Sequence, residues 1–121
     1  MKPFSIDERL ASFRHAARGV RFLFKTQHNA RLHLAATLVV ALLAWGLHVS
    51  ASDWRWLVLA IVLVWAAEAM NTALEHLCNV VSPGLNPSVR MTKDIGAGAV
   101  LICSAGAAVL GVLVFLPYFT G

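Results

Sequence analysis

Two carboxylates and two amides recur at helical spacing near the middle of the chain, at Glu68, Asn71, Glu75 and Asn79. Residues three or four apart lie one above the other on a helix, so these four side chains share one face. They continue directly from the uninterrupted apolar run 57–67. Ionisable groups at membrane depth are costly and rare, so this polar stripe indicates a functional site.

The two carboxylates are expected to differ in hydration. Glu68 lies about 20 Å along the helix axis from Trp54, which places it near the inner edge of the hydrocarbon, whereas Glu75 is closer to water. A desolvated carboxylate is the better general base for a hydroxyl group. A hydrated carboxylate is a hard oxygen ligand suited to Mg²⁺. The axial separation of the pair, about 10 Å, leaves room for a phosphoryl group between them. A buried Glu–Arg pair is the structural alternative.

A further polar pair, Lys93 and Asp94, precedes the last apolar run. Lys93 offers a positive charge to a phosphate, and the N-terminus of the following helix offers free N–H groups. Asp94 is placed to cap that helix, so capping and topology alone are the alternative interpretation. The nucleotide-binding motif G-x-x-x-x-G-K-[ST] is absent, and the glycines at 96 and 98 do not continue into G-x-G-x-x-G.

The composition assigns the chain to a membrane. Of its 121 residues, 59% are hydrophobic, which is more than a soluble domain of this size can hide. Three apolar runs account for the excess, and a membrane span needs roughly 20 such residues. We predict one all-α domain over 1–121, with an amphipathic surface helix at about 4–25 and transmembrane helices at about 32–49, 56–78 and 95–118.

The basic residues predict the orientation. All of them except Arg55 either precede the first span or lie between the second and third. The positive-inside rule therefore places the N-terminus in the cytoplasm. The net charge of +4 is explained by this topology, and nucleic-acid binding is not expected because no soluble basic module is present. Cys78 and Cys103 match no metal or disulfide motif and are expected to pack as small apolar residues.

The first and last helices each allow two interpretations. The amino-terminal helix combines an aromatic face with arginines, which is typical of an interfacial anchor, but its Arg and His side chains could also help to close a site. The last helix carries a ladder of small residues that favours close packing, either between subunits or within one chain. That ladder is Ala99, Cys103, Ala107 and Gly111.

Several motifs together resemble one known family. They are E-x-x-N-T-A-x-E from Glu68, V-S-P from Val81 and K-D-x-x-A-G-A from Lys93, with F-R-x-A-x-R-G from Phe13 and N-x-R-x-H from Asn29. This pattern resembles the bacterial integral-membrane diacylglycerol kinase family and is closer to its undecaprenol kinase branch. The resemblance covers nearly the whole chain, and the motif that begins at Glu68 is specific.

The resemblance implies a homotrimer, multi-pass in a bacterial inner or plasma membrane, that transfers the γ-phosphate of MgATP to a lipid hydroxyl at the cytoplasmic interface. It implies Glu68 as the general base and Glu75 as a ligand to the cofactor Mg²⁺. The remaining implied roles are nucleotide binding by Asn71, Glu75, Gly84, Leu85, Asn86, Lys93, Asp94 and His15, and lipid binding by Glu68, Arg14 and Arg18.

Three positions depart from the family pattern. Gln27 stands where the family usually has a second metal-binding glutamate, and a neutral amide binds Mg²⁺ more weakly than a carboxylate. Asn79 stands where Asp is common, and residues 84–86 replace the usual Glu-Tyr-His.

From the polar stripe and the resemblance together, we predict a lipid kinase acting on diacylglycerol or undecaprenol. The alternatives are a catalytically weakened relative and a small oligomeric proton-coupled transporter.

Overall fold

The computed structural model describes residues 1–121, and its only regular elements are four α-helices. Helices α2, α3 and α4 are each long and apolar enough to cross a membrane. The all-helical prediction and the count of three membrane-length helices are therefore confirmed. The bounds are α1 at Ile6–Thr26, α2 at His28–Gly46, α3 at Ala51–Val81 and α4 at Pro87–Thr120.

Helix α4 begins earlier than predicted, at Pro87 instead of near position 95. The side-chain Oδ1 of Asn86 accepts hydrogen bonds from two backbone N–H groups of the first turn, at 2.9 and 3.3 Å. Proline follows as the first helical residue, where its missing N–H leaves no bond unmade. Lys93 and Asp94 thus lie inside α4, and the prediction that Asp94 caps this helix beside Lys93 is wrong.

One end of the α3–α4 pair is joined by polar contacts around Tyr118. Its hydroxyl donates to Asp53 Oδ2 at 2.6 Å and accepts from the backbone N–H of Ser50 at 2.9 Å. Ser50 also caps α3, because its Oγ accepts from the backbone N–H of Asp53 at 3.1 Å. Beneath these contacts lies the apolar core, formed by Ala44, Val49, Leu57, Val114 and Phe115.

Helix α1 packs against the rest of the chain through its C-terminal half. Leu23 is buried, Phe22 meets the ring of His76 edge-on with centroids 5.1 Å apart, and Phe24 lies 5.1 Å from the ring of Trp65. The N-terminal half exposes most of its apolar side chains. The position of α1 on a membrane surface stays a prediction.

Most apolar side chains of α2, α3 and α4 face outward, and only 13 of 121 residues are buried. This is the surface of a helical protein whose solvent is lipid, since helices satisfy their own backbone groups there. The 31 residues of α3 make about 46 Å of helix, longer than the hydrocarbon core of about 30 Å. One end of α3 therefore extends beyond the hydrocarbon.

Candidate functional site

The polar stripe of α3 lies along one face of the helix, and its burial decreases along the chain. Glu68 is 1% exposed and Asn71 is 8% exposed, whereas Glu75 is half-buried and Asn79 is exposed. Counted from Ala51, Glu68 lies about 26 Å along the helix and Glu75 about 36 Å. If hydrocarbon about 30 Å thick begins near Ala51, it ends within the stripe, and burial decreases in the order that the sequence predicts for increasing hydration.

Glu68 has a single ionisable partner, and it is on α2. The Nε2 of His33 lies 3.4 Å from Glu68 Oε2, although the alignment is not that of a hydrogen bond and Oε2 is buried without one. This is the only acid–base pair within 4.0 Å in the protein, so the alternative of a buried Glu–Arg pair is not found. His33 was not predicted as a site residue, although it belongs to the N-x-R-x-H motif and is a histidine inside an apolar run.

Asn71 lies between Glu75 and helix α4. Its Nδ2 donates to Glu75 Oε1 at 3.4 Å, while its Oδ1 is buried without a partner. Helix α4 passes closest at Gly96, where an added Cβ would lie only 2.6 Å from Asn71 Oδ1. The missing side chain at Gly96 therefore makes room for the amide, a role that no sequence pattern predicts.

Lys93 reaches the exposed end of the stripe from α4. Its Nζ donates a hydrogen bond to Asn79 Oδ1 across the two helices. An ammonium group is thereby held on the same side of α3 as the carboxylate of Glu75, where it can meet an anion. Asp94 is exposed and its carboxylate accepts no hydrogen bond within the chain.

The structure does not bring the other predicted site residues to the stripe. All are exposed, three of them on α1 and three in the linker between α3 and α4. None forms an ion pair, and one linker side chain serves as the cap of α4. Their proposed contacts with nucleotide or lipid stay predictions; these residues are Arg14, His15, Arg18, Gly84, Leu85 and Asn86.

The oxygen atoms around Glu75 fit a magnesium ion only in part. The chain holds no cluster of three or more His, Cys, Asp or Glu side chains that could bind a metal. Gln27 sits at the break between α1 and α2, and its amide donates to Thr26 Oγ1 at 3.4 Å. The Glu75 carboxylate is a hard donor that suits a Mg²⁺ ion with further water and phosphate ligands, whereas Asn71 presents its N–H to Glu75 and its buried Oδ1 to Gly96.

An apolar groove starts beside the buried carboxylate. Its volume is about 500 Å³, and it runs between α2, α3 and α4. His33 is its one ionisable lining residue, and this side chain also contacts Glu68. The groove thus connects a buried carboxylate with a long apolar surface; its other lining residues include Thr37, Leu57, Ala60, Ala107, Gly111 and Phe115.

Comparison with known proteins assigns the family. The family model described as "Prokaryotic diacylglycerol kinase" matches residues 14–115. The chain is 32% identical over 106 residues to an undecaprenol kinase of Bacillus subtilis (strain 168), covering 88% of this chain and 86% of that protein. It is 37% identical over 109 residues to a diacylglycerol kinase of Synechocystis sp., covering 89% of this chain and 62% of the relative. The chain therefore belongs to the prokaryotic diacylglycerol kinase family of membrane lipid kinases.

Proposed function

We propose that this lipid kinase transfers the γ-phosphate of MgATP to the hydroxyl group of diacylglycerol or undecaprenol, at the cytoplasmic face of a bacterial cell membrane. The observation that carries the proposal is the position of Glu68, a buried carboxylate in contact with His33, which lines an apolar groove. From that carboxylate a polar stripe leads to the ammonium group of Lys93. The names of the two relatives support these two lipids as candidates.

Glu68 is the proposed general base. Because it is shielded from water, its carboxylate can take the proton of the lipid hydroxyl while the hydroxyl oxygen attacks the γ-phosphorus. The bond from phosphorus to the β–γ bridging oxygen then breaks, and ADP leaves. Such transfers depend chiefly on positioning and on charge stabilisation, which assigns Lys93 and Asn71 to the phosphates.

The proposed metal ligands are Glu75 and, weakly, Gln27. A Mg²⁺ ion bound there would neutralise charge on the nucleotide phosphates. A site with only one carboxylate binds free Mg²⁺ weakly, so the ion is expected to enter as the MgATP complex. The hydrogen bond from Asn71 orients the carboxylate of Glu75 before the nucleotide binds.

Replacing Gln27 with Glu is expected to strengthen metal binding. A carboxylate binds Mg²⁺ better than a neutral amide, so the Mg²⁺ concentration at half-maximal activity should fall by about threefold to tenfold. A Mg²⁺ titration of activity measures this, and Mn²⁺ binding followed by paramagnetic resonance gives a readout without turnover. Gln27→Met is the matched control and should show no gain. An unchanged Mg²⁺ requirement in Gln27→Glu would remove Gln27 from the metal site.

The apolar groove is proposed to hold the hydrocarbon chain of the lipid. Its one ionisable lining residue, His33, lies against Glu68, so a lipid lying in the groove would present its hydroxyl to the base. Pockets of roughly 300–1,000 Å³ are typical for small ligands, and the groove falls within that range. The remainder of a long chain would extend into the surrounding bilayer.

Gly111→Leu is expected to obstruct this groove. Gly111 lines the groove, and an added Cβ meets no atom within 4 Å, so a larger side chain can enter the space. The KM for lipid should rise by about tenfold, with the KM for ATP unchanged. Gly106→Leu is the control, because Gly106 also has open space but lies outside the groove lining. Equal kinetics for the two variants would place the lipid elsewhere, and loss of assembly in Gly111→Leu alone would assign the groove to a neighbouring subunit.

The proposal includes a homotrimer whose α1 helices lie on the membrane surface. The sparse burial within one chain leaves much apolar helix surface for neighbouring subunits as well as for lipid. The ladder of small residues on α4 would allow a close approach between helices. Light scattering in detergent, corrected for bound detergent, measures the number of subunits.

The decisive assay follows labelled phosphate from ATP into lipid. The purified protein in mixed micelles is expected to phosphorylate undecaprenol or diacylglycerol, and competition between the two identifies the preferred lipid. No labelled product with either lipid would overturn the proposal. ATP-independent proton flux into liposomes would instead support a transporter, a class that family membership already disfavours.

A further inference from the structure

The burial of Glu68 raises the question of how its carboxylate is oriented. Its Oε2 atom is buried and accepts no hydrogen bond, and its side chain forms none with any other group of α3. Burying a carboxylate that accepts no hydrogen bond costs free energy. Since α3 offers no donor, a group that stabilises and orients the carboxylate must come from a neighbouring helix. The one candidate is the imidazole of His33 on α2, whose Nε2 lies 3.4 Å from Oε2.

The imidazole of His33 is contacted by Trp65 of α3, and that indole is itself held by Thr37 of α2. Thr37, one turn further along α2, donates from Oγ1 to the backbone carbonyl of His33 at 2.7 Å. The same Oγ1 accepts the indole N–H of Trp65 at 3.0 Å. The indole also meets the imidazole edge-on, with centroids 6.1 Å apart and an interplanar angle of 66°. Since Trp65 precedes Glu68 by three residues, α3 contacts His33 both through an aromatic ring and through the carboxylate.

His33 also separates Glu68 from the apolar groove. The imidazole lines the groove, whereas Glu68 does not, and the imidazole side chain is only 19% exposed. The ring is therefore the contact between the groove lining and the carboxylate. An aromatic edge on one side and a carboxylate on the other restrict how far the ring can turn.

We infer that His33 is a positioning residue for Glu68, an inference that rests on the proposed function. The Nε2–H group of His33 donates to Glu68 Oε2 during the reaction and turns the carboxylate so that Oε1 faces the incoming hydroxyl. The same donor compensates the buried negative charge before the hydroxyl proton arrives. Positioning of this kind raises kcat, because it aligns the base with the reacting hydroxyl, and it leaves nucleotide binding at the other end of the stripe unaffected.

Two substitutions separate hydrogen-bond donation from other roles of the ring. The side-chain amide of glutamine can place an N–H where Nε2 stands, whereas leucine fills space without a donor. In the full-length protein, His33→Leu is expected to lower kcat by about tenfold or more with the KM for ATP unchanged, and His33→Gln to recover most of the loss. His28→Leu, an exposed histidine on the same helix, is the control and should stay near the unsubstituted activity.

Kinetics of His33→Leu within about twofold of the unsubstituted protein would overturn the inference. An equal loss of kcat in His33→Leu and His33→Gln, at equal thermal stability, would also overturn it. The imidazole would then carry a proton in the reaction instead of donating a hydrogen bond to Glu68. A second readout needs neither ATP nor lipid: carbodiimide labelling of Glu68 is expected to be faster in His33→Leu than in the unsubstituted protein. Equal labelling rates would show that His33 does not act on Glu68, whereas absence of transfer by the unsubstituted protein would count against the proposed function alone.

Discussion

Replacing Glu68 with Gln is expected to abolish lipid phosphorylation while the fold stays intact. The amide has nearly the shape of the carboxylate and can still accept a hydrogen bond from His33, but it cannot take up the hydroxyl proton. General bases contribute about 10²–10⁴-fold to rate, so kcat should fall by that factor. Transfer of labelled phosphate to lipid measures the loss.

The control for this substitution is Glu8→Gln, which removes an equal charge from an exposed position on α1 and should leave activity unchanged. The melting temperature and the assembly size of the Glu68→Gln variant should match those of the unsubstituted protein. If that variant retained near-normal turnover, Glu68 would not be the base and the proposed chemistry would have to be assigned to another group.

Gly96→Ala is expected to cause the second-largest loss, although Gly96 has no side chain to take part in chemistry. Its added Cβ would lie 2.6 Å from Asn71 Oδ1 and 3.6 Å from a methyl carbon of Leu74. Either the Asn71 amide turns away and its hydrogen bond to Glu75 weakens, or α4 moves outward and carries Lys93 away from Asn79. Displacements of about 1 Å at a reacting centre cost about 10²-fold in rate, so kcat/KM for ATP should fall by that order.

Gly98→Ala separates this clash from a general effect of alanine in the helix. Gly98 is also in α4, but an added Cβ there meets no atom within 4 Å. Alanine is the better helix former in both variants, so helix propensity alone would favour each of them equally. Activity of Gly98→Ala should stay within about twofold of the unsubstituted protein. Equal activity of the two variants would contradict the close approach of α4 at Asn71.

The helices could be predicted because apolar runs of membrane length are readable without tertiary information. The start of α4 could not be predicted from those runs. Residues 88–94 belong to α4 but are largely polar. An apolar run therefore cannot reveal this first part of the helix. The Asn86–Pro87 pair was nevertheless a usable start signal, since an Asn cap followed by Pro is a common way to begin a helix.

The candidate site could be predicted only where it lies on one helix. The stripe from Glu68 to Asn79 follows from periodicity within α3. His33 and Gly96 lie on other helices, and the face that each presents to α3 depends on how the helices pack. A glycine that makes room for an amide has no pattern of its own in a single sequence, and the N-x-R-x-H motif marks His33 without showing that it meets Glu68.

The contacts around Tyr118 have a mechanical consequence for the site. Tyr118 joins α4 to Asp53 at one end, and Lys93 joins it to Asn79 at the other, so α3 and α4 form a hairpin fastened at both ends. Helix α2 has no such fastening; its polar contacts with α3 are confined to the neighbourhood of Trp65 and Glu68. The groove therefore lies between the α3–α4 pair, which is joined at both ends, and helix α2, which is joined to α3 at one place only. If the groove holds the lipid as proposed, a shift of α2 would let the lipid enter sideways while α3 and α4 keep their relative position.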